Sequence, residues 1–129
     1  MRTVLVIDDD DIVRGLLVRA LTGARFTVIE AADGQEGLAL ARSQGPDIVV
    51  TDLVMPVQEG VEIIMTLRRE RPRLPIIAIS GGVTNSKLYL DIAGKIGASR
   101  ILPKPFTPKE LIHLIEQVLA EERQPDPPA

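Results

Sequence analysis

The stretch VLVIDDDD, residues 4–11, places four consecutive aspartates directly after a short apolar run that is rich in β-branched residues. Continuous apolar runs of this length are typical of strands that are buried on both faces of a sheet. Four neighbouring carboxylates repel one another, so a soluble protein needs a physical reason to place them there. The stretch therefore raises two questions: which sheet holds the strand, and what the acids at its end do.

Length and composition indicate one globular domain. The chain has 129 residues, of which 45% are apolar, and this is enough for a buried core. The sequence contains no cysteine, which excludes disulfides, thiol catalysis and thiolate metal sites. The net charge of −3 gives no support for direct contact with nucleic acid. The sequence has neither a signal-peptide core nor the ~20 apolar residues of a membrane helix, so we expect a cytoplasmic protein.

Strand and helix patterns alternate five times along the chain. Further strand-like runs follow the first, and the last of them is the weakest: Thr27–Ile29, Ile48–Thr51, Pro75–Ser80 and Ile101–Leu102. Between them, apolar residues recur at helical spacing, as in Ile12, Val13, Leu16, Leu17, Ala20 and Leu21. Asp33–Glu36 and Thr107–Glu110 have the pattern of capping boxes, and Pro108 suits a first helical position. The alternation predicts an α/β fold with a doubly wound parallel sheet.

Residues whose side chains can bind ligands or take part in reactions lie at the carboxyl ends of the predicted strands, where open parallel sheets bind ligands. They are Asp8 to Asp11, Asp52, Ser80 and Lys104. Each has an ordinary explanation on its own. Asp10 and Asp11 suit the start of a helix, where one caps it and the other faces water, and Ser80 before two glycines suits a turn. Taken together, they bring carboxylates, a hydroxyl and an ammonium group to one edge of the sheet.

This combination of groups suits phosphoryl transfer assisted by Mg²⁺. A hard cation takes oxygen ligands and would relieve the repulsion between Asp8, Asp9 and Asp52. A carboxylate beside the cation can attack phosphorus and form an aspartyl phosphate. The Lys104 ammonium and the Ser80 hydroxyl would then neutralise the remaining phosphoryl oxygens.

From Thr3 to about Leu119, the chain resembles the receiver domain of two-component response regulators, and in particular the chemotaxis regulators. The resemblance rests on four motifs in a fixed order: VLVIDDD in the first strand, DLVMPVQEG at 52–60, IAISGG at 77–82 and LPKPF at 102–106. It implies a flavodoxin-like (βα)5 fold with strand order 2-1-3-4-5. We expect a receiver domain over residues 1–122 and a flexible, Pro-rich tail over residues 123–129.

The resemblance also implies a role for each residue of the site. Asp52 corresponds to the phosphoacceptor, and Lys104 to the lysine that bonds a phosphoryl oxygen. Ser80 corresponds to the switch hydroxyl, and the Lys104–Pro105 peptide bond is expected to be cis. The implied ligands of Mg²⁺, or of Mn²⁺, are Asp8, Asp9, Asp52 and the backbone carbonyl of Val54.

A protein of this family is implied to be a phosphorylatable switch rather than an enzyme, because its phosphotransfer is autocatalysed and its self-dephosphorylation is slow. Its phosphodonor would be a sensor histidine kinase or a histidine phosphotransferase. Its output would be a downstream protein that binds the face formed by the fourth helix, the fifth strand and the fifth helix. We expect a single-domain regulator that is a monomer or a weak dimer, without direct contact to nucleic acid or membrane. The alternative is a piece of a larger protein, in which PDPPA at 125–129 would begin a linker to an effector or mark the end of a hybrid kinase.

Three features of the sequence depart from the family pattern or bear on its kinetics. Ile101 takes the place of the usual aromatic switch residue, which indicates altered or weaker coupling to the output face. Gly81, Gly82 and Gly94 make the fourth helix intrinsically poor, so we expect it to be short or mobile and to become ordered on phosphorylation. The apolar Val54 cannot orient an attacking water, which favours slow hydrolysis of the phosphoryl group.

Two other functions stay open at this point. The first is a phosphorylation-independent docking module, which Ile101 favours weakly and the intact acidic site disfavours. The second is a Mg²⁺-dependent phosphohydrolase similar to the haloacid dehalogenase group, whose D-x-D pattern Asp8 and Asp10 reproduce. That reading leaves the motif around Asp52 unexplained, and a chain of 129 residues has no room for a cap domain. Neither a G-x-G-x-x-G motif nor a P-loop follows the first strand, which disfavours nucleotide binding there.

Overall fold

The computed structural model describes residues 2–53, 57–80, 95 and 97–123, and its centre is a five-stranded parallel sheet. The strands are β1 (Thr3–Ile7), β2 (Thr27–Ala31), β3 (Ile48–Asp52), β4 (Ile76–Ser80) and β5 (Arg100–Pro103). Their order in the sheet is β2-β1-β3-β4-β5, with every pair parallel. The predicted fold class and strand order are therefore confirmed.

Four helices connect or follow these strands within the described residues. They are α1 (Asp11–Gly23), α2 (Gly34–Gln44), α3 (Val57–Glu70) and a C-terminal helix (Pro108–Arg123). None of the helices described is both long and apolar enough to cross a bilayer. The predicted fourth helix and the tail beyond residue 123 lie outside the described residues, apart from residue 95. The hypothesis that phosphorylation orders the fourth helix therefore stays a prediction.

Side-chain caps fix the starts of three helices at the predicted places. The Asp10 carboxylate accepts hydrogen bonds from the N–H groups of Ile12 and Val13, at 3.0 and 3.2 Å. Asp33 accepts from the N–H of Glu36 at 2.8 Å, and the hydroxyl of Thr107 accepts from the N–H of Glu110 at 3.1 Å. These bonds satisfy N–H groups that a helix leaves unpaired in its first turn. Asp10 is therefore the capping aspartate, while Asp11 is the first residue of α1.

The sheet is covered on both faces, which explains why its strands are continuously apolar. Within β1, Leu5 and Ile7 pack on the side of α2 and α3, whereas Val4 and Val6 pack on the side of α1 and the C-terminal helix. All four side chains are at most 1% exposed. Alternate residues of a strand point to opposite faces, so a strand between two helical layers needs apolar residues at every position.

The apolar stripe that the sequence predicts for α1 includes residues that the structure leaves exposed. Leu17 and Leu21 are buried, but Ile12 is 77% exposed and Leu16 is 58% exposed. Ile12 and Leu16 are one turn apart and therefore share a face of the helix. The periodicity identified the helix correctly, but only the packing shows that the sheet covers part of its apolar surface.

Candidate functional site

Strand register places the first two carboxylates of the site side by side. Ile7 of β1 pairs with Thr51 of β3, so the residues that follow them, Asp8 and Asp52, lie next to each other at the carboxyl edge of the sheet. Asp52 in turn pairs with Ile79 of β4, and the next residue of β4 is Ser80. This edge forms because parallel strands end on the same side of the sheet.

Asp52 is the buried member of an ion pair with Lys104. Its side chain is 4% exposed, and its Oδ2 lies 3.2 Å from the Nζ of Lys104, whose side chain is 30% exposed. Lys104 reaches Asp52 from the loop that follows β5, two strands away from β3 in the sheet. Removal of a carboxylate from water is unfavourable unless a partner compensates its charge. The ammonium group supplies part of this compensation.

Asp8 is buried with one of its oxygens left without a donor. The residue is 1% exposed, and its Oδ1 accepts a hydrogen bond from the N–H of Asp10 at 2.9 Å. Its Oδ2 is buried and receives no protein N–H or O–H from the described part of the chain. An unpartnered buried acceptor is unfavourable. A proton shared with Asp52, or a cation, would satisfy this oxygen.

The pKa of Asp8 reflects this environment. Burial, and after it the nearby Asp52 carboxylate, raise the pKa of Asp8 from 3.8 to about 6, against the opposing effects of the Asp10 N–H and Lys104. Burial penalises the charged form of a carboxyl group, and a second carboxylate nearby does the same. Near neutral pH, therefore, the ionised Asp8 side chain is held at a cost in free energy that a cation would relieve.

Arg14 fixes the acidic loop from the side, a role that the sequence analysis missed. Its guanidinium donates to the backbone carbonyl of Asp8 at 2.7 Å, to Asp11 at 2.6 Å and to Glu30 at 3.1 Å. The two carboxylates, Asp11 first, raise the pKa of Arg14. The spacing of Asp11 and Arg14 could have suggested an i, i+3 ion pair. The bonds to Asp8 and Glu30 depend on the tertiary structure, since Glu30 belongs to β2.

The other residues predicted for the site are placed as follows. Asp9 is exposed in the same loop. Ser80 is the last residue of β4 and pairs in register with Pro103, but the described part of the structure does not include its side chain. Val54 lies outside the described residues. The Lys104–Pro105 peptide bond is cis. The assigned roles of these residues stay predictions.

Ile101 occupies the middle of β5, where it pairs in register with Ala78. It is half-buried and packs against the apolar layer on the side of α2 and α3. Its coupling role also stays a prediction.

The donor set fits a magnesium ion better than a metal bound only by side chains. In the described ranges, no group of three or more carboxylate, imidazole or thiol side chains converges to hold a metal ion. Mg²⁺ does not require one, because it is typically bound by one or two carboxylates and keeps several of its waters. Asp8 and Asp52 provide two buried carboxylates. The Oδ2 of Asp8, which no group of the described chain satisfies, provides a reason for a cation to bind.

Comparisons with known proteins agree with this geometry. The family model described as "Response regulator receiver domain" matches residues 4–116. The DNA-binding transcriptional regulator NtrC of Salmonella typhimurium is 34% identical over 126 residues, which are 95% of this chain and 26% of that protein. Response regulator MprA of Mycobacterium sp. is 37% identical over 129 residues, which are 98% of this chain and 55% of that protein. The chain thus spans about a quarter to a half of the length of such curated relatives.

The solved structures agree as well. The chemotaxis response regulator CheY4 of Vibrio cholerae superimposes with a TM-score of 0.81 at 31% identity, covering 92% of this chain and 98% of that one. The motifs, the sheet order and the buried acidic pair thus coincide with a match over nearly the whole chain. The chain belongs to the response regulator receiver domain family of two-component signalling systems.

Proposed function

We propose that this receiver domain is a phosphorylation switch, in which Asp52 accepts a phosphoryl group in the presence of Mg²⁺. The observation that carries the proposal is the buried Asp52 carboxylate, with Lys104 Nζ at 3.2 Å on one side. In the adjoining loop, Asp8 has an oxygen without a hydrogen-bond partner among the described residues. A buried carboxylate with an ammonium and a second carboxylate beside it suits a reaction in which negative charge arrives and must be neutralised. A simple structural ion pair would not need Asp8.

Transfer would begin with attack of an Asp52 carboxylate oxygen on the phosphorus of a phosphohistidine. The new P–O bond forms as the P–N bond to the donor imidazole breaks, and the imidazole leaves with the bonding electron pair. Lys104 is positioned to exchange its contact with Asp52 for one with a phosphoryl oxygen. The bound Mg²⁺ would supply further charge neutralisation. Asp8 must lose its proton to hold the cation. Mg²⁺ binding is therefore expected to weaken when the pH falls below the Asp8 pKa of about 6.

The proposed phosphodonor is a sensor histidine kinase or a histidine phosphotransferase. Ile12 and Leu16 are exposed on the first two turns of α1, directly after the acidic loop. An apolar contact at this place would bring a donor surface next to Asp52 without covering the site. The proposed output is a downstream protein that binds the face built from the fourth helix, β5 and the C-terminal helix. We place the switch in the cytoplasm and do not class it as an enzyme.

Two features of the proposed switch are inferred from single residues. Ile101 leaves no aromatic ring on β5 to follow a movement of Ser80, so coupling between the site and the output face is proposed to be weaker than in relatives with a ring. The apolar side chain at Val54 offers nothing to orient a water, so slow loss of the phosphoryl group is proposed. A dephosphorylation rate unchanged in Val54→Asn would remove the basis for the second inference.

The intact mass of the protein after incubation with a small-molecule phosphodonor and Mg²⁺ tests the proposal. We expect one added phosphoryl group on the native chain, none without divalent cation and none in Asp52→Asn. The matched control is Asp33→Asn, at an exposed aspartate of the same edge that caps α2. Asparagine caps a helix about as well as aspartate, so this variant should be phosphorylated normally.

Failure of the native chain to take up a phosphoryl group, both from the small-molecule donor and from a purified histidine kinase, would contradict the proposal. The alternative would then be a docking module that acts without phosphorylation. Release of free phosphate from a phosphate monoester, dependent on Asp8 rather than on Asp52, would favour the phosphohydrolase instead.

A further inference from the structure

A cavity lies at the opposite edge of the sheet, where the amino ends of β1, β3 and β4 meet. It has a volume of about 540 Å³. We call it the amino-edge cleft, and its lining includes Arg2, Asp47, Arg71, Arg73, Leu74 and Leu119. A volume of this size lies within the range of roughly 300–1,000 Å³ that is usual for sites of small ligands. The family motifs do not include any of these residues, and the proposed phosphoacceptor site does not use them.

The cleft carries an excess of positive charge in a protein whose net charge is −3. Three arginines line it, and Asp47 is its only carboxylate among the lining residues described. Asp47 is already engaged: its Oδ2 accepts from the N–H of Thr3 at 2.8 Å, and its Oδ1 lies 3.7 Å from the guanidinium of Arg2. The charges of Arg71 and Arg73 therefore have no carboxylate of the cleft left to balance them.

The two remaining arginines differ in how they are held. Arg71 is fixed by one hydrogen bond, from its Nη1 to the carbonyl of Pro46 at 3.1 Å, which leaves its other guanidinium N–H groups for a ligand. Arg73 is exposed, and its side chain makes no hydrogen bond or ion pair with any residue in the described ranges. A planar guanidinium presents a fork of donors that matches the oxygens of a phosphate group. One arginine is thus held in place and a second is available to close on an anion.

We propose that the amino-edge cleft binds a small phosphorylated molecule, with its phosphate groups on Arg71 and Arg73. Pro72 also lines the cleft and is exposed, so the cleft offers some apolar surface beside the arginines. A flat basic surface would suit a long polyanion, whereas this one is an open cleft of about 540 Å³, a size that suits a small ligand. The site lies at the end of the sheet away from Asp52, so a ligand there would leave the carboxyl edge accessible.

Chemical-shift titration of the ¹⁵N-labelled protein tests the proposal. The probes are ADP, pyrophosphate and adenosine, at constant ionic strength. EDTA is added to remove the divalent cations that would favour binding of phosphate groups beside Asp52. We expect saturable shifts of amides around Asp47 and Arg71 to Leu74, with ADP and pyrophosphate binding below about 1 mM. Adenosine, which lacks phosphate, should bind at least about tenfold more weakly than ADP.

Two variants that remove the same charge make the test specific. Arg73→Gln should weaken ADP binding about tenfold, the effect of one charge-assisted hydrogen bond. Arg19→Gln, at an exposed position of α1 that does not line the cleft, should leave the dissociation constant within about twofold, because solvent screens a charge that makes no direct contact with the ligand. The side chain of Arg73 has no hydrogen bond or ion pair to lose among the described residues, and an unchanged melting temperature would verify that the variant is folded.

Four results of these titrations would overturn the proposal. They are equal loss of affinity in the two variants, adenosine binding as tightly as ADP, shifts confined to the edge around Asp8 and Lys104, and absence of saturation. A duplex DNA that bound more tightly than ADP, and equally to both variants, would indicate a diffuse basic surface and would overturn it as well.

Discussion

The two edges of the sheet carry opposite charges and hold them differently. At the carboxyl edge, Asp8 and Asp52 are 1% and 3% exposed. At the amino edge, the arginines of the cleft lie at the surface, and Arg73 is exposed. Buried charge needs compensation from a specific partner, whereas exposed charge is stabilised by water. The carboxyl edge is therefore under electrostatic strain in the absence of a ligand, and the amino edge is not.

Helix dipoles account for part of this separation. In a parallel sheet with helical crossovers, helix N-termini lie at the carboxyl edge and helix C-termini at the amino edge. Acidic residues occupy the first turns of α1 and α2, and basic residues occupy the last turns of α2 and α3. Negative charge is favourable at the N-terminus of a helix dipole, and positive charge is favourable at its C-terminus. Asp8 and Asp52 are not explained in this way, since they lie in or next to strands, and this is what distinguishes a candidate site from an ordinary acidic surface.

The largest effect is expected from Asp8→Asn. The folded-state pKa of about 6 lies above the ordinary value of 3.8, so ionised Asp8 destabilises the fold by about 3 kcal/mol above pH 6. The amide keeps the acceptor for the N–H of Asp10 and adds a donor toward Asp52. The variant should therefore be more stable by about that amount at pH 7 in urea unfolding.

The pH dependence checks the cause of this effect. The native folded state holds the Asp8 proton more tightly than the unfolded state. The loss of stability caused by ionised Asp8 therefore grows between pH 3.8 and about 6, and it is absent below pH 3.8. The advantage of Asp8→Asn should accordingly vanish as the pH falls to about 4. A constant difference between the two proteins across this range would contradict the assigned pKa shift.

Addition and removal of Mg²⁺ should change the free energy of unfolding by nearly as much as Asp8→Asn does. A ligand at 100 times its dissociation constant stabilises the folded state by about 2.7 kcal/mol, and EDTA should reverse the gain. Asp8→Asn should lose most of this response because the cation loses a charged ligand, whereas Asp33→Asn should keep it. Equal stabilisation of both variants, measured by thermal unfolding, would show that the cation binds elsewhere.

Arg14→Met sharpens the comparison within the carboxyl edge. The substitution removes three hydrogen bonds, including the one at 2.7 Å to the carbonyl of Asp8, while keeping an apolar stem of similar length. We expect a loss of about 1–2 kcal/mol in the free energy of unfolding. Backbone amides in the loop after β1 that exchange slowly in the native protein should exchange fast in the variant. Unchanged hydrogen exchange there would mean that Arg14 does not hold the loop.

The smallest effect is expected at the amino edge. Arg100 pairs with Glu121 at 2.6 Å, but the side chains of both residues are about half exposed. Exposed pairs contribute little, because water solvates both charges. Arg100→Gln should therefore change stability by about 0.5 kcal/mol or less, and less still in high salt. A loss as large as that of Arg14→Met would mean that the two edges do not differ in how they hold charge.

The sequence by itself determined the fold class, the helix starts and the edge that gathers the acids. Continuous apolar runs indicate strands covered on both faces, and capping residues such as Asp33 act through backbone groups only three residues away. These signals are local, so neighbouring residues contain the whole of the physical cause. The order of the motifs around Asp52 and Lys104 then indicated the family.

Only the tertiary structure decided which charges are buried and which residues meet. Asp8 and Asp9 are adjacent in sequence and alike in chemistry, yet Asp8 is buried and Asp9 is exposed. Arg14 reaches Glu30 of β2, and the amino-edge cleft joins Arg2 to residues about 70 positions away in the chain. Burial and long-range contacts depend on how helices pack on the sheet, because packing sets the solvent access and the electrostatic partner of each side chain.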